Sequence, residues 1–166
     1  MMSKAMNDAI NKQINAEMYS AYLYLAMAAH FESKTLPGFA NWMKVQAAEE
    51  MDHAMRFYKF VNETSGRVVL DAIAKPPTNW KSPLAVFQTV CEHEAKVTSL
   101  INDLAALADK IKDRATGVFL HWFITEQVEE EANAKEIADT LEMIGESTGQ
   151  LLMIDRQLGK RKAGGD

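Results

Sequence analysis

The stretch that decides the fold runs from residue 43 to residue 57 and reads MKVQAAEEMDHAMRF. Alternating steps of three and four residues pick out Met43, Gln46, Glu50, His53 and Phe57, the spacing that places side chains on one face of an α-helix. Apolar residues therefore bracket a carboxylate and an imidazole on the face that should be buried. The spacing predicts a long helix whose core-facing stripe becomes polar near its middle.

Three further segments repeat this arrangement. Each has apolar residues at helical steps, and each carries one glutamate near its centre, at Glu17, Glu94 and Glu130. None of the four stripes contains Lys or Arg. The sequence therefore predicts a helical bundle with four carboxylates at one level of its core.

Proline and glycine residues divide the chain into helices of roughly 25 to 30 residues and one shorter helix. The predicted helices span 3–33, 39–64, 83–109, 113–144 and 150–158, followed by a flexible tail at 160–166. The second and third helices are separated by about 17 residues, long enough to cross the bundle from end to end. We therefore predict a single all-α domain over residues 1–166. It is a four-helix bundle with one long crossover, the topology of ferritin-like folds.

The buried acids predict a metal site. An ionised carboxylate costs several kcal/mol to bury, and four of them would consume most of a typical net stability of about 5 to 15 kcal/mol. A single glutamate on such a stripe is more often an exposed edge residue, but four at mid-helix are an improbable coincidence. Glu50 and His53, three residues apart, can hold the same ion. Carboxylates with one imidazole suit iron or manganese better than zinc.

The acids match a known pattern with one departure. Di-iron bundles combine a Glu from each of two helices with Glu-x-x-His from each of the other two. The fourth helix instead reads Gln127-Val128-Glu129-Glu130, so the expected second histidine is missing. We predict an asymmetric pair, with one iron held by Glu17, Glu50 and His53 and the other by Glu50, Glu94 and Glu130, near Gln127. A weaker second site favours transit of iron over permanent retention.

Composition excludes several other classes of protein. A net charge of −5 over 166 residues disfavours a nucleic-acid partner. One cysteine, Cys91, allows no internal disulfide. We find neither a signal-peptide pattern at the start nor an uncharged apolar run long enough to span a membrane. We therefore expect a cytoplasmic protein with no membrane partner.

Three strings carry a resemblance to a known family: NAEMYS at 15–20, EEMDH at 49–53 and EQVEEE at 126–131. They resemble those of bacterial non-haem ferritins, over essentially the whole chain and including the fifth helix. The resemblance implies a hollow cage, the family's 24-mer, that oxidises Fe2+ with O2 or H2O2 and stores Fe3+ as a mineral.

The resemblance also implies roles for individual residues. It implies a ferroxidase centre of Glu17, Glu50, His53, Glu94, Gln127 and Glu130. It implies a third iron site of Glu49, Glu126, Glu129 and Glu130. Tyr24 would be a nearby redox-capable tyrosine. From the residues alone, Tyr24 reads equally well as a core tyrosine with a satisfied hydroxyl, and the three extra acids read as solvated surface residues.

The first helix also indicates self-assembly. Residues 18–31 are apolar on nearly all faces of the helix, so we expect a second subunit to bury the face that the bundle leaves exposed.

Two other functions remain as alternatives. A haem-binding bacterioferritin would use Met51, beside Glu50, as its haem ligand, although that group normally has the histidine missing here. A non-storage di-iron oxidase would use the same centre without a cage.

Overall fold

The computed structural model describes residues 2–164 and contains five helices within them. They are α1 (Lys4–Ser33), α2 (Pro37–Glu63), α3 (Pro83–Ile111), α4 (Arg114–Ile144) and the short α5 (Thr148–Leu158). The predicted all-α bundle with a fifth helix is confirmed. No helix among these residues is both long enough and apolar enough to cross a membrane.

The helix directions follow from which ends share apolar contacts. Phe31 at the end of α1 stacks on Phe39 at the start of α2, with ring centroids 4.9 Å apart, so these helices are antiparallel. The start of α2 shares an apolar cluster with Phe87 at the start of α3. The end of α2 shares a second cluster with Leu104 near the end of α3. Helices α2 and α3 therefore run parallel, as the long connection predicts.

The crossover between α2 and α3 lies along α1 and is held by a ladder of asparagines. Asn7, Asn11 and Asn15 stand four residues apart on one face of α1 and donate from their side-chain amides to backbone carbonyls of the crossover. Asn7 and Asn11 also accept from the backbone amides of Arg67 and Val69, each at 2.8 Å. These bonds satisfy backbone groups of a segment that has no sheet or helix of its own.

Some predicted boundaries are corrected by the structure. Helix α2 begins at Pro37 rather than residue 39, because proline has no backbone N–H and suits the first helical turn. Helix α3 continues to Ile111, where Lys112 adopts a left-handed conformation (φ 60°) and ends it. Helix α5 begins at Thr148 and includes Gly149 in its first turn.

The predicted free tail also needs correction. Residues 165 and 166 lie outside the described part of the chain. Arg161, within the predicted tail, lies against α2 and is only partly exposed, with its guanidinium 4.5 Å from the centroid of the Trp42 ring. The chain therefore stays in contact with the bundle beyond the end of α5.

The two apolar clusters occupy opposite ends of the bundle. Between them lies a polar layer, made of the residues that occupy the middle of the four core stripes. The long helices thus bring residues that are distant in sequence to one level, and this layer is the candidate functional site.

Candidate metal centre

Four glutamates and one histidine of the polar layer are buried. Glu17, Glu50 and Glu94 are each 1% exposed, and Glu130 is 6% exposed. His53 is 4% exposed. The buried polar and charged residues of the described chain include no Lys or Arg. The layer therefore lacks a buried lysine or arginine to offset its charge.

The donor atoms of Glu17, Glu50 and His53 all lie within 4.8 Å of one another. Nδ1 of His53 is 3.5 Å from Oε2 of Glu50. Gln13, one turn before Glu17, donates from Nε2 to its Oε1 at 2.7 Å. The other oxygen of Glu17, Oε2, is buried and has no hydrogen-bond partner. An unpaired buried carboxylate oxygen, in a residue grouped with a second carboxylate and an imidazole, is suited to a cation.

A second group joins His53, Glu126 and Glu130, whose donor atoms also lie within 4.8 Å of one another. Gln46 braces it, since its Nε2 donates to Glu130 Oε2 at 2.7 Å and to Glu50 Oε1 at 3.2 Å. His53 thus belongs to both groups. Metal ions bound in the two groups would therefore both lie beside the His53 imidazole.

Glu94 is held differently. The Tyr24 hydroxyl donates to Glu94 Oε1 in a short hydrogen bond. Gln127 donates from Nε2 to Glu94 Oε2 at 3.2 Å, and the same nitrogen lies 3.2 Å from Thr98 Oγ1. Glu94 is therefore surrounded by neutral hydrogen-bond donors, and it lies in neither of the two three-residue groups.

The crowding of acids favours their protonated forms in the metal-free protein. Burial, followed by repulsion from Glu94 and Glu130, raises the pKa of Glu50 well above its ordinary value. Burial and the Glu50 carboxylate likewise raise the pKa of Glu17 well above its ordinary value. Burial and Glu94 raise the pKa of Glu130 to about 7. Cation binding would reverse these effects, because it stabilises the ionised forms and releases protons.

Aromatic side chains form one wall of the centre. The His53 ring meets Trp122 and Phe123 edge-on, with centroids 5.3 and 5.9 Å away. Arg56 lies over the Trp122 ring at 3.9 Å and covers it from outside. This wall fixes the orientation of the imidazole and limits its access to water.

The predicted extra acids are not all brought together. Glu126 lies in the second group, whereas Glu49 is in neither group and forms an ion pair with Arg161 at 2.6 Å. Glu129 is exposed and is also in neither group. Sequence reasoning missed Gln13 as a brace of the centre, although it stands one turn before Glu17, and it assigned Arg161 to a flexible tail rather than to the surroundings of the centre.

Comparison with known proteins shows the family to which the chain belongs. The family described as Ferritin-like domain matches residues 7–144. The chain belongs to this ferritin family. It is 44% identical to the bacterial non-heme ferritin of Bacteroides fragilis strain 638R, over 97% of the chain and 100% of that protein. It is 39% identical to that of Campylobacter jejuni, over 95% of each.

Solved ferritin structures have the same fold. An engineered closed form of the Archaeoglobus fulgidus ferritin is 51% identical, with a TM-score of 0.97 over 98% of this chain and 99% of that one. The open pore ferritin of the same archaeon is 52% identical, with a TM-score of 0.96 over 97% and 98%. The resemblance to non-haem ferritins is confirmed, and iron storage is the role of the family. The cluster of Glu17, Glu50 and His53 fits a di-iron site. That the whole of residues 1–166 forms one domain stays a prediction.

Proposed function

We propose that this ferritin oxidises Fe(II) at the buried centre and stores the Fe(III) product inside a hollow cage of its own subunits, 24 in number as the resemblance implies. The observation that carries the proposal is the convergence of Glu17, Glu50 and His53, buried and within 4.8 Å of one another, with no buried Lys or Arg among the described residues. Such a set of ligands attracts divalent cations and holds trivalent ones more strongly.

The reaction follows from this charge. Two Fe(II) ions bind as substrates and each loses one electron, while O2 takes both electrons with two protons and leaves as H2O2. Alternatively, H2O2 takes two electrons and two protons and becomes water. Glu17, Glu50, His53, Glu94 and Glu130 are proposed as the ligands, with Gln127 orienting Glu94. The protons displaced from the carboxyls on iron binding are available at the site.

Two further parts of the proposal concern residues around the centre. Tyr24 is proposed as a redox-capable neighbour, supported by its hydrogen bond to Glu94. A third iron site is proposed at Glu126 and Glu130 with Glu49 and Glu129. Its support is the proximity of Glu126 to Glu130, and it would receive iron on the way from the centre to the mineral.

The proposed assembly is supported by an apolar surface on α1 and the crossover. Tyr22 and Leu25 of α1 are about half exposed, at 50% and 49%, although they are large apolar residues. Val69, Leu70 and Ile73 of the crossover are exposed as well. A surface of this kind is suited to a contact between subunits. We place the cage in the cytoplasm, as the sequence predicts.

Aerobic loading with Fe(II), followed by size-exclusion chromatography and iron analysis, tests storage. We expect on the order of hundreds of irons to co-elute with a very large particle, since a hollow cage holds far more metal than its binding sites. About two irons per chain on a small particle would instead identify a non-storage di-iron oxidase. A Soret band in the purified protein would identify a haem-binding protein, with Met51 as the candidate ligand.

Stopped-flow measurement of Fe(II) oxidation tests the site. The variants His53→Ala and Glu130→Ala should each oxidise iron far more slowly than the wild type, because both residues lie in the groups of donor atoms. Unchanged kinetics in both would overturn the assignment of the centre.

A further inference from the structure

Arg161, three residues beyond the end of α5, contacts one of the acids that flank the buried centre. Its Nη2 lies 2.6 Å from Oε2 of Glu49 in an ion pair, and both side chains are mostly buried, at 22% and 28% exposed. Its guanidinium lies 4.5 Å from the centroid of the Trp42 ring. Glu49 directly precedes Glu50, so this contact joins the C-terminal segment to the edge of the centre.

The position of Arg161 is fixed by the docking of α5. The Asp155 carboxylate is buried and accepts from the backbone N–H groups of Gly38 and Phe39, at 2.8 and 3.0 Å. It thereby caps α2, which has no capping side chain of its own. Gly38 permits this approach, since a Cβ at that position would come within 1.6 Å of the Asp155 carbonyl oxygen.

A second contact holds the residues after α5. The side chain of Asn41 donates to the Arg161 carbonyl oxygen at 3.0 Å. Arg161 is thus held through its backbone, its ring contact and its ion pair. An arginine held at so many points is preorganised for its partner, and little entropy remains to be lost on pairing.

The charges around Glu49 show why a cation is held there. Burial raises the pKa of the Glu49 carboxyl; Arg161 and then His53 oppose this shift, and Glu126 and Asp52 add to it. A guanidinium stays charged at all working pH values and offers only donors. The Glu49 carboxylate is therefore paired with a permanent positive charge, the Arg161 guanidinium.

We propose that Arg161 is a built-in competitor for iron at Glu49, so that the C-terminal segment sets how weakly the outer iron site holds its ion. This inference rests on the proposed function, which places an outer iron site at Glu49, Glu126, Glu129 and Glu130. Iron can recruit Glu49 only by displacing the guanidinium or by sharing the carboxylate with a second positive charge. Either route lowers affinity and shortens the time that iron spends between the buried centre and the mineral.

The test measures the binding of Fe(II) to the iron-free assembled protein by isothermal titration calorimetry under anaerobic conditions. Arg161→Ala should raise the affinity of the outer site roughly 2- to 5-fold, the range expected for a partly exposed ion pair, and should leave the buried centre unchanged. Arg161→Gln, which keeps a long polar side chain, should do the same. Arg161→Lys keeps the positive charge but loses the planar set of N–H donors of the guanidinium. Its outer-site affinity for Fe(II) should lie between those of the wild type and Arg161→Gln.

Two controls separate competition from a general change of charge. Lys162→Ala removes the same charge from the neighbouring, exposed residue and should leave the outer affinity unchanged. In a Glu49→Gln background, removal of Arg161 should no longer raise the affinity, because the contested carboxylate is gone. Thermal melting of the variants reports whether α5 remains docked.

The outcomes distinguish this inference from the proposed function. If wild type binds Fe(II) at the buried centre and oxidises it, but Arg161→Gln leaves the outer affinity unchanged or lowers it, the competitor role is overturned. A lowered affinity would mean that Arg161 positions Glu49 for iron. If wild type itself binds no Fe(II) at the buried centre, the proposed function fails.

Discussion

The two halves of the polar layer are built on different principles. The half formed by α1 and α2 brings Glu17, Glu50 and His53 within 4.8 Å of one another and leaves one Glu17 oxygen unpaired. In the half formed by α3 and α4, Glu94 accepts from the Gln127 amide of α4 and also from the Tyr24 hydroxyl, which reaches it from α1. In the first half one Glu17 oxygen has no hydrogen-bond partner, whereas both oxygens of Glu94 already accept hydrogen bonds from neutral donors.

Burial alone therefore does not define a metal ligand. Glu94 is as buried as Glu17, yet its oxygens already accept hydrogen bonds, so a metal would have to compete with those bonds. The α1–α2 half should therefore dominate iron binding, and the α3–α4 half should tune it.

Removal of Glu50 breaks the α1–α2 half. Glu50→Ala should slow Fe(II) oxidation by at least about 100-fold, because a lost ligand costs more than the 10- to 100-fold typical of an outer contact. Stopped-flow kinetics under aerobic conditions measure it. Glu63→Ala, at an exposed position on the same helix, is the matched control. A comparable loss in the control would show that the effect is not specific to the centre.

The raised pKa of Glu130 predicts how the metal-free protein responds to pH. In the folded protein the Glu130 carboxyl has a pKa of about 7, against 4.5 for an ordinary glutamate. Folding therefore loses stability as the pH rises from about 4.5 through 7, by up to about 3 kcal/mol from this group. Glu130→Gln should remove that part of the slope.

Urea denaturation of the metal-free protein at pH 5.5 and pH 8 measures this difference in the free energy of unfolding. Glu136→Gln, on the exposed side of α4, is the control and should keep the wild-type slope. An identical slope in Glu130→Gln would mean that Glu130 carries no bound proton near neutral pH.

Replacement of the Gln127 amide should make the two halves more alike. Gln127→Glu exchanges a hydrogen-bond donor for a carboxylate next to Glu94 and should retain the second metal about tenfold more tightly, since it adds an anionic ligand where the amide only orients Glu94. Release of metal to a chelator measures it. Gln88→Glu adds the same charge at an exposed position of α3 and should have no such effect. Equal release from Gln127→Glu and wild type would argue against a second metal beside Glu94.

The smallest effect is expected at Tyr24. Tyr24→Phe removes one of the two donors to Glu94 and should lower the free energy of unfolding of the metal-free protein by about 1 kcal/mol. Denaturation at pH 8 measures it. Tyr22→Phe, on the same helix but 50% exposed, should change little. A neutral result at both positions would show that the phenol does not stabilise Glu94.

Much of the fold could be predicted because its signals are local or periodic. The 3.6-residue spacing identified the long helices, and the length of the crossover indicated that α2 and α3 run parallel. The burial of the acids could also be predicted, because Glu17, Glu50 and Glu94 interrupt otherwise apolar stripes. Each of these inferences needs only the positions of residues along one helix or the number of residues between two.

What the sequence could not supply were contacts between distant residues. Asp155 caps α2 across more than a hundred residues, at a helix start where the local sequence offers no cap. In the sequence Gln46 is one more residue of the core-facing stripe of α2. Only the packing of α2 with α4 brings Glu130 Oε2 to 2.7 Å from Gln46 Nε2. No local pattern marks either partner, because surface polar residues of the same types are common.

That four acids share one level of a helical core follows from the amino-acid order, because periodicity assigns each residue to a face of its own helix. Which of these acids lack partners and which already have them depends on how the helices pack. It paired Glu94 with Tyr24 and Gln127, left a Glu17 oxygen open, and set Arg161 on Glu49. The physical reason is that hydrogen bonds and ion pairs act over a few ångströms, and such distances between helices are set only when the bundle packs.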